Sequence, residues 1–215
     1  MANSDTPSRG YCFLSAVPMR REPSDRSEMV NQLLRGDTFD ILNRESAWSL
    51  VRCDYDGYEG WVDNKQWRCV EGAEPTQPLP KLPVSTSLQS PADVALCHYL
   101  GAPYLWGGRT AMGIDCSGLT QVCFRSCGIR LLRDASQQVT QGVPVDTVAS
   151  ARRDDLCFFQ NDEGRVVHVG ICLGNGRIVH ASGYVRVDNL DDTGIFDPSR
   201  GVYTHRLYAI RRMVC

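Results

Sequence analysis

The feature that most constrains this chain is the stretch of residues 71–90, which carries Pro75, Pro78, Pro80 and Pro83. Proline fixes φ and removes a backbone donor, so neither a helix nor a central strand runs through such a segment. A structureless connection of this length is uncommon inside one compact domain. The 215 residues suffice for two small domains. The sequence therefore predicts one domain over 1–75, with a short polar tail at its start, a proline-rich linker over 76–90 and a second domain over 91–215. A hydrophobic content of 42% supports folded cores on both sides.

Before the linker, residues 11–72 read as short strands separated by turns. Phe39 and Ile41, then Trp48, Leu50 and Val51, alternate with polar residues. Gly36-Asp37 and Asp56-Gly57 mark turns, and Trp61-Val62 opens what reads as the last strand. About five short strands of this kind suggest a small all-β barrel.

After the linker, Ser90-Pro91 reads as a helix cap followed by proline at the first helical position, with the helix ending at Gly101. The stretch YLWGGRTAMGIDCSGL follows, from Tyr104 to Leu119. Its glycines turn the chain into an apolar run in which Leu119, Cys123 and Cys127 share one helical face. Cys116 thus stands at a helix start, where unpaired N–H groups and the helix dipole favour a thiolate and could hold an oxyanion. A low thiol pKa is the expectation at that position. Gly128 ends this helix. Further on, RDASQQ offers an N-cap at Asp134 or Ser136.

Two histidines accompany the cysteine. His168 lies in VVHVGICLG and His180 in RIVHASG, each in a strand-like run, with Gly174-Asn175-Gly176 as the turn between them. Antiparallel pairing across that turn brings the two strands side by side. The chemistry this suggests is a relay: Cys116 attacks, His168 takes and returns its proton, and His180 orients His168. His98 and His205 have no partner motif and read as surface or structural residues. Helices followed by strands indicate an α+β domain with an antiparallel sheet.

The segments YLWGG, DCSGL, HVGICLG and IVHASG resemble, in that order, the NlpC-type cell-wall cysteine peptidases, a papain-like superfamily. The resemblance runs from roughly Pro91 to the C-terminus. It implies Cys116 as nucleophile, His168 as base, His180 as third polar residue, and Tyr104 with the Cys116 N–H as stabilisers of the tetrahedral intermediate. The RREPS, GD and GYEGWV layout of the first unit is similar to bacterial SH3-like barrels. The combination looks like the γ-D-glutamyl-L-diamino acid endopeptidases of wall-peptide recycling, which hydrolyse peptides such as L-Ala-γ-D-Glu-diaminopimelate with a free N-terminal alanine. By that likeness Asp115 holds the ammonium with help from Glu28 and Tyr58 of the barrel, and Ser117, Ser136 and Trp106 line the substrate site. Asp154 stands where relatives often have glycine, which bears on the turn there. No cofactor is implied. Alternatives are a secreted endopeptidase cutting intact wall with the barrel as anchor, a non-catalytic wall-peptide binding module, and a thioester-forming acyltransferase.

The net charge of −2 suggests neither nucleic acid nor an anionic membrane as partner. Ten cysteines mostly sit inside apolar patterns, which reads as buried free thiols in a reducing compartment. Cys123 and Cys127 share a helix face, but no further ligand completes a zinc site, so no metal is expected. The polar start, MANSDTPSRG, lacks the apolar core of a signal peptide, so the expectation is a cytoplasmic protein, or an exported one whose leader has been removed.

Overall fold

The computed structural model of the protein describes residues 8–70 and 90–214; the N-terminal tail and nearly all of the linker lie outside them. The chain divides into two compact units after Pro83. Among the described residues no helix is long and apolar enough to cross a membrane.

The first unit is an SH3-like β domain. Its strands are β1 (Arg9–Tyr11), β2 (Ala16–Arg20), β3 (Met29–Leu34), β4 (Thr38–Glu45), β5 (Trp48–Cys53), β6 (Glu59–Asp63) and β7 (Arg68–Cys69). They form one antiparallel sheet in the order β3-β2-β6-β5-β4-β1-β7. Strand alternation turns Val17, Met19, Leu33, Phe39, Val51 and Val62 into a common core. The Phe39 and Trp67 rings meet edge-on at 5.7 Å, the favoured geometry for aromatic pairs. Trp61-Val62 lies in the penultimate strand, not the last. β1 and β7 are too short to show alternation, and they pair with each other at the sheet margin.

The second unit begins with α1 (Pro91–Val94), capped reciprocally by Ser90 and Asp93 with proline at its start. The chain then widens into a π-type turn over Ala95–Tyr99 and leaves it through Gly101, whose φ is 83°. A small hairpin of β8 (Arg109–Thr110) and β9 (Gly113–Ile114) leads into α2 (Cys116–Ser126) and then α3 (Ala135–Gln138). The remaining strands are β10 (Val143–Val145), β11 (Leu156–Gln160), β12 (Val166–Gly174), β13 (Arg177–Ser182), β14 (Tyr184–Leu190), β15 (Gly194–Asp197) and β16 (Val202–Arg212). Their order is β10-β16-β11-β12-β13-β14-β15, and β15 also pairs with β16. The α+β class holds, and the sheet goes further than an open antiparallel one: β11 to β16 close on themselves. Cys157, Phe159, Cys172, Ile178, Leu190, Ile195 and Ile210 form an apolar cluster on one face, inside this closed sheet. The opposite face of β12 and β13, with Val169, Ile171 and Val179 fully buried, packs against α2.

Asp154, at the position where the family resemblance leads one to expect glycine, adopts the left-handed conformation with φ 75°. Aspartate tolerates it better than most residues, and here its carboxylate also accepts the Ala92 N–H at 2.8 Å, tying the turn to the start of α1.

Closure of the sheet depends on Gly194 at the β15–β16 seam. Its φ of 151° is strained for any side chain, and a Cβ there would overlap the carbonyl oxygen of His205. Gly194→Ala is expected to destabilise the protein by about 2 kcal/mol or more, read by urea denaturation; an unchanged midpoint would show that the seam yields freely.

Candidate active site

Cys116 is the first residue of α2, and Asp115 is its N-cap, accepting the Gly118 N–H. The cysteine is only 5% exposed. β12 and β13 are in register from Gly170 opposite His180 to Cys172 opposite Ile178, and the backbone of Val169, just outside this register, pulls the Cys116 thiol pKa down against the effect of burial. α2 packs against β12, the strand that carries His168.

A line of buried polar side chains continues from His168. Its Nε2 lies 2.8 Å from His180 Nδ1, and His180 Nε2 lies 2.9 Å from Asp188 Oδ2. Arg186 donates to the other oxygen of Asp188 from Nε at 3.1 Å and from a terminal nitrogen at 2.8 Å. Burial opposes ionisation of Asp188, but the hydrogen bonds from His180 and Arg186 outweigh it and hold the carboxyl below its usual range. An ionised carboxylate only accepts, so we assign the hydrogen to Nε2 of His180. His180 Nδ1 then accepts from His168 Nε2–H, and His168 Nδ1 keeps a lone pair. Burial, with His205 and His180 close by, pushes the His168 pKa well below 6.5.

The cysteine corrects the expectation of a resting thiolate. Burial and the neighbouring Asp115 carboxylate push its thiol up to about 12, against the opposing pull of the Val169 and Ser117 N–H groups and Arg133. The helix start is buried and carries its own anion at the cap, so the dipole does not prevail. The resting pair is a neutral thiol and a neutral imidazole.

Asp115 itself is fully engaged. It accepts from Gly118 N–H at 2.6 Å, Gly107 N–H at 2.8 Å, the Ser117 hydroxyl at 3.3 Å, and Arg133 at 3.0 and 2.6 Å. Arg133 is buried and also donates to Ser117 Oγ at 2.9 Å. The role of ammonium holder expected for Asp115 therefore meets a carboxylate whose charge is already balanced. Ser117 is likewise buried and turned into this network. Tyr104 donates its backbone N–H to Gly183, and burial, with Cys116 and Asp115 nearby, raises its pKa, so its hydroxyl stays a donor. Trp106 is 57% exposed, and Ser136 is exposed on α3. In the first unit, Glu28 pairs with Arg21 at 2.8 Å, and Tyr58 packs against the domain's own core.

Sequence reasoning missed Asp188, Arg133 and the surroundings of His205. The alternation in YVRVDNL is the signal that could have found Asp188, since it shares a face with Arg186, which sits opposite His180. The His205 ring stacks on His168 with centroids 4.2 Å apart and planes at 28°. Ring nitrogens of His168, His180 and His205 lie within 4.8 Å of one another, yet nearly parallel rings aim their in-plane lone pairs side by side rather than at one point, which does not suit a tetrahedral metal.

Residues 101–210 match the NlpC/P60 family, and residues 19–66 match the bacterial dipeptidyl-peptidase SH3 domain. The γ-D-glutamyl-L-lysine dipeptidyl-peptidase of Bacillus subtilis is 33% identical over 140 residues, covering 61% of this chain and 44% of that protein. The protein of the same name from Bacillus cereus is 40% identical over 85 residues, 39% of this chain and 25% of that one. This chain thus spans less than half the length of those relatives. In fold it is similar to an NlpC/P60 endopeptidase from Photobacterium damselae, with a TM-score of 0.67 at 14% identity over 97% of this chain and 72% of that chain.

Two outcomes follow from this geometry. His168 and His205 resist protonation in the folded state, the latter down to about 4 against an ordinary value of 6.5. Their stabilising contribution is complete above pH 6.5 and is lost as pH falls toward the folded values. Denaturation across that window should show declining stability, with a shallower decline in His168→Asn; equal slopes would contradict the assignment. Arg133→Met should cost about 3–5 kcal/mol by stranding a buried carboxylate, and adding Asp115→Asn should recover much of it, both read by chemical denaturation.

Proposed function

Since this chain belongs to the NlpC/P60 family, we propose that it is a cysteine peptidase that hydrolyses the γ-D-glutamyl bond to the diamino acid in peptidoglycan-derived peptides bearing a free N-terminal L-alanine. The observation that carries the chemistry is that the buried helix which Cys116 begins packs on β12, the strand whose His168 opens the His168–His180–Asp188 line. The substrate is supported by the names of the relatives, which specify a γ-D-glutamyl linkage and a dipeptidyl-peptidase, and by the accompanying SH3 domain of dipeptidyl-peptidase type.

In this reading His168 Nδ1 takes the thiol proton as the Cys116 sulfur attacks the γ-carbonyl carbon. Because the resting thiol is neutral, proton transfer accompanies attack rather than preceding it. The oxyanion is met by the Cys116 N–H and the Tyr104 hydroxyl. The tetrahedral intermediate collapses to a thioester and releases the diamino acid amine, which takes the proton back from His168. Water, deprotonated by the same nitrogen, attacks the thioester carbonyl, and the proton returns to sulfur as the dipeptide acid leaves. His180 and Asp188 keep the His168 lone pair turned toward sulfur throughout. The positive charge that arises on His168 is shared along a hydrogen-bonded line that ends on a carboxylate.

The test is incubation with L-Ala-γ-D-Glu-diaminopimelate and its N-acetylated form, with products identified by mass spectrometry. The free peptide should be cut and the acetylated one spared, and Cys116→Ala should lower the rate by on the order of 10³-fold or more while binding is retained. Equal cleavage of both peptides would remove the free-amine requirement. Release of fragments from intact walls, with the small peptide left uncut, would favour the wall endopeptidase instead.

A further inference from the structure

His205 reads from sequence as an isolated histidine, but the closed sheet brings it to the base. It sits on β16 opposite Ile195 of β15, at the seam that Gly194 allows to close. Its ring lies flat on His168, with centroids 4.2 Å apart and planes at 28°. Phe159 lies against both rings, 5.8 Å from His168 and 5.9 Å from His205. His180 meets both nearly at right angles. The packing thus fixes the plane of His168 from several sides, and His205 is the neighbour parallel to it.

The protonation of His205 is also set by its surroundings. The Thr204 hydroxyl donates to the Ile195 carbonyl at 3.3 Å, so its oxygen is free to accept from His205 Nδ1, 2.9 Å away. That leaves a neutral ring with a bare Nε2. Burial pushes its pKa down to about 4, with His180 adding to the effect and Asp188 opposing it. A neutral ring face accepts a cation stacked on it, whereas a protonated ring would repel one. His168 must become such a cation when it takes the thiol proton.

We infer that His205 is a positioning residue for the Cys116–His168 pair: its ring holds the plane of His168 so that Nδ1 faces the sulfur, and offers a neutral π face to the imidazolium formed during attack. This rests on the thiol–imidazole chemistry proposed above, but not on the identity of the peptide. The groups that bear on His168 are His205 from β16 and His180 from β13, with Asp188 and Arg186 of β14 beyond His180, while Cys116 and its cap Asp115 start the helix packed on β12. His205 is the one of these whose ring can be replaced by a carbocyclic ring of similar thickness. Arg133, Tyr104 and Ser117 act on the cysteine side and are untouched by that change.

The test needs no peptide substrate. The rate at which iodoacetamide alkylates Cys116, followed on the Cys116-containing fragment by mass spectrometry, reports proton removal from the thiol as a function of pH. His205→Phe keeps a flat ring and should alkylate within about threefold of the parent, with its acid limb unmoved; His205→Leu fills the space without a π face and should slow alkylation by about tenfold, the scale of a desolvated cation–π contact. The acid limb of His205→Leu should also shift to lower pH, because the imidazolium at His168 loses the π face that favours it. A purely structural role would lower the melting temperature of both variants without moving either profile. His205→Leu with the parent rate and profile would overturn the inference, as would equal slowing of the Phe and Leu variants, which would place the role in the nitrogen rather than the ring. Should His205→Leu fail to fold, His205→Phe alone still decides, since a tenfold loss there contradicts a ring-stacking role. Failure to cleave any muropeptide while these alkylation results hold would overturn the substrate reading and leave this one standing.

Discussion

The arrangement at the base depends on one ionised carboxylate inside a closed sheet. Asp188, held by Arg186, can only accept, and that single constraint sets the hydrogen on His180 and through it the hydrogen on His168. In the chemistry proposed above, a line that ended in a donor would leave an N–H at Nδ1 of His168, which could not then act as a base. The carboxylate works through two rings, so its effect on Cys116 is transmitted by tautomer rather than by contact. Because the sheet is closed, the two rings that carry this information, from β12 and β13, share one interior with the His205 ring of β16.

Closure also divides the interior into two environments. The apolar cluster around Cys157, Ile178 and Ile210 excludes water and gives the sheet its stability, while the histidines share its inward face beside Phe159. Burial that would be costly for charged rings holds the pKa values of His168 and His205 down. The cysteine is treated in the same way: its helix start is sheltered, capped by Asp115 and counterbalanced by the buried Arg133. Cys116 and His168 therefore both rest uncharged, and in the chemistry proposed above charge develops only when substrate arrives. Rigid elements hold each of them, which suits a reaction that needs positions fixed to fractions of an ångström.

Much of this was legible in the chain. The glycine-rich turn before Cys116, the helix start at that residue, the helix stop at Gly128 and the hairpin at Gly174-Asn175-Gly176 are local signals, and each appears where local rules put it. The cap at Ser90 with Pro91 after it belongs with them. What could not be read is what depends on closure. Nothing near His205 announces that β16 will bend back onto β15 and lay its ring on His168, since the two are far apart in sequence and joined only through register. Asp188 was hidden for the same reason, in a strand whose partner had been read for His180 alone. The thiol's protonation was misjudged because a helix dipole is a local feature, whereas burial and the Asp115–Arg133 pairing belong to the folded domain. Asp154 shows the converse: a departure from glycine reconciled by a long-range bond to Ala92.

The most direct test of this account is nitrogen-15 NMR of the ring nitrogens of His168 and His180 in the resting enzyme near neutral pH, with assignment by His168→Asn and His180→Asn. The account requires both rings neutral, each with its hydrogen on Nε2, so that His168 Nδ1 shows the shift of a bare nitrogen. An imidazolium at His168, or a hydrogen on its Nδ1, would contradict it and would mean that Asp188 does not set the state of the base.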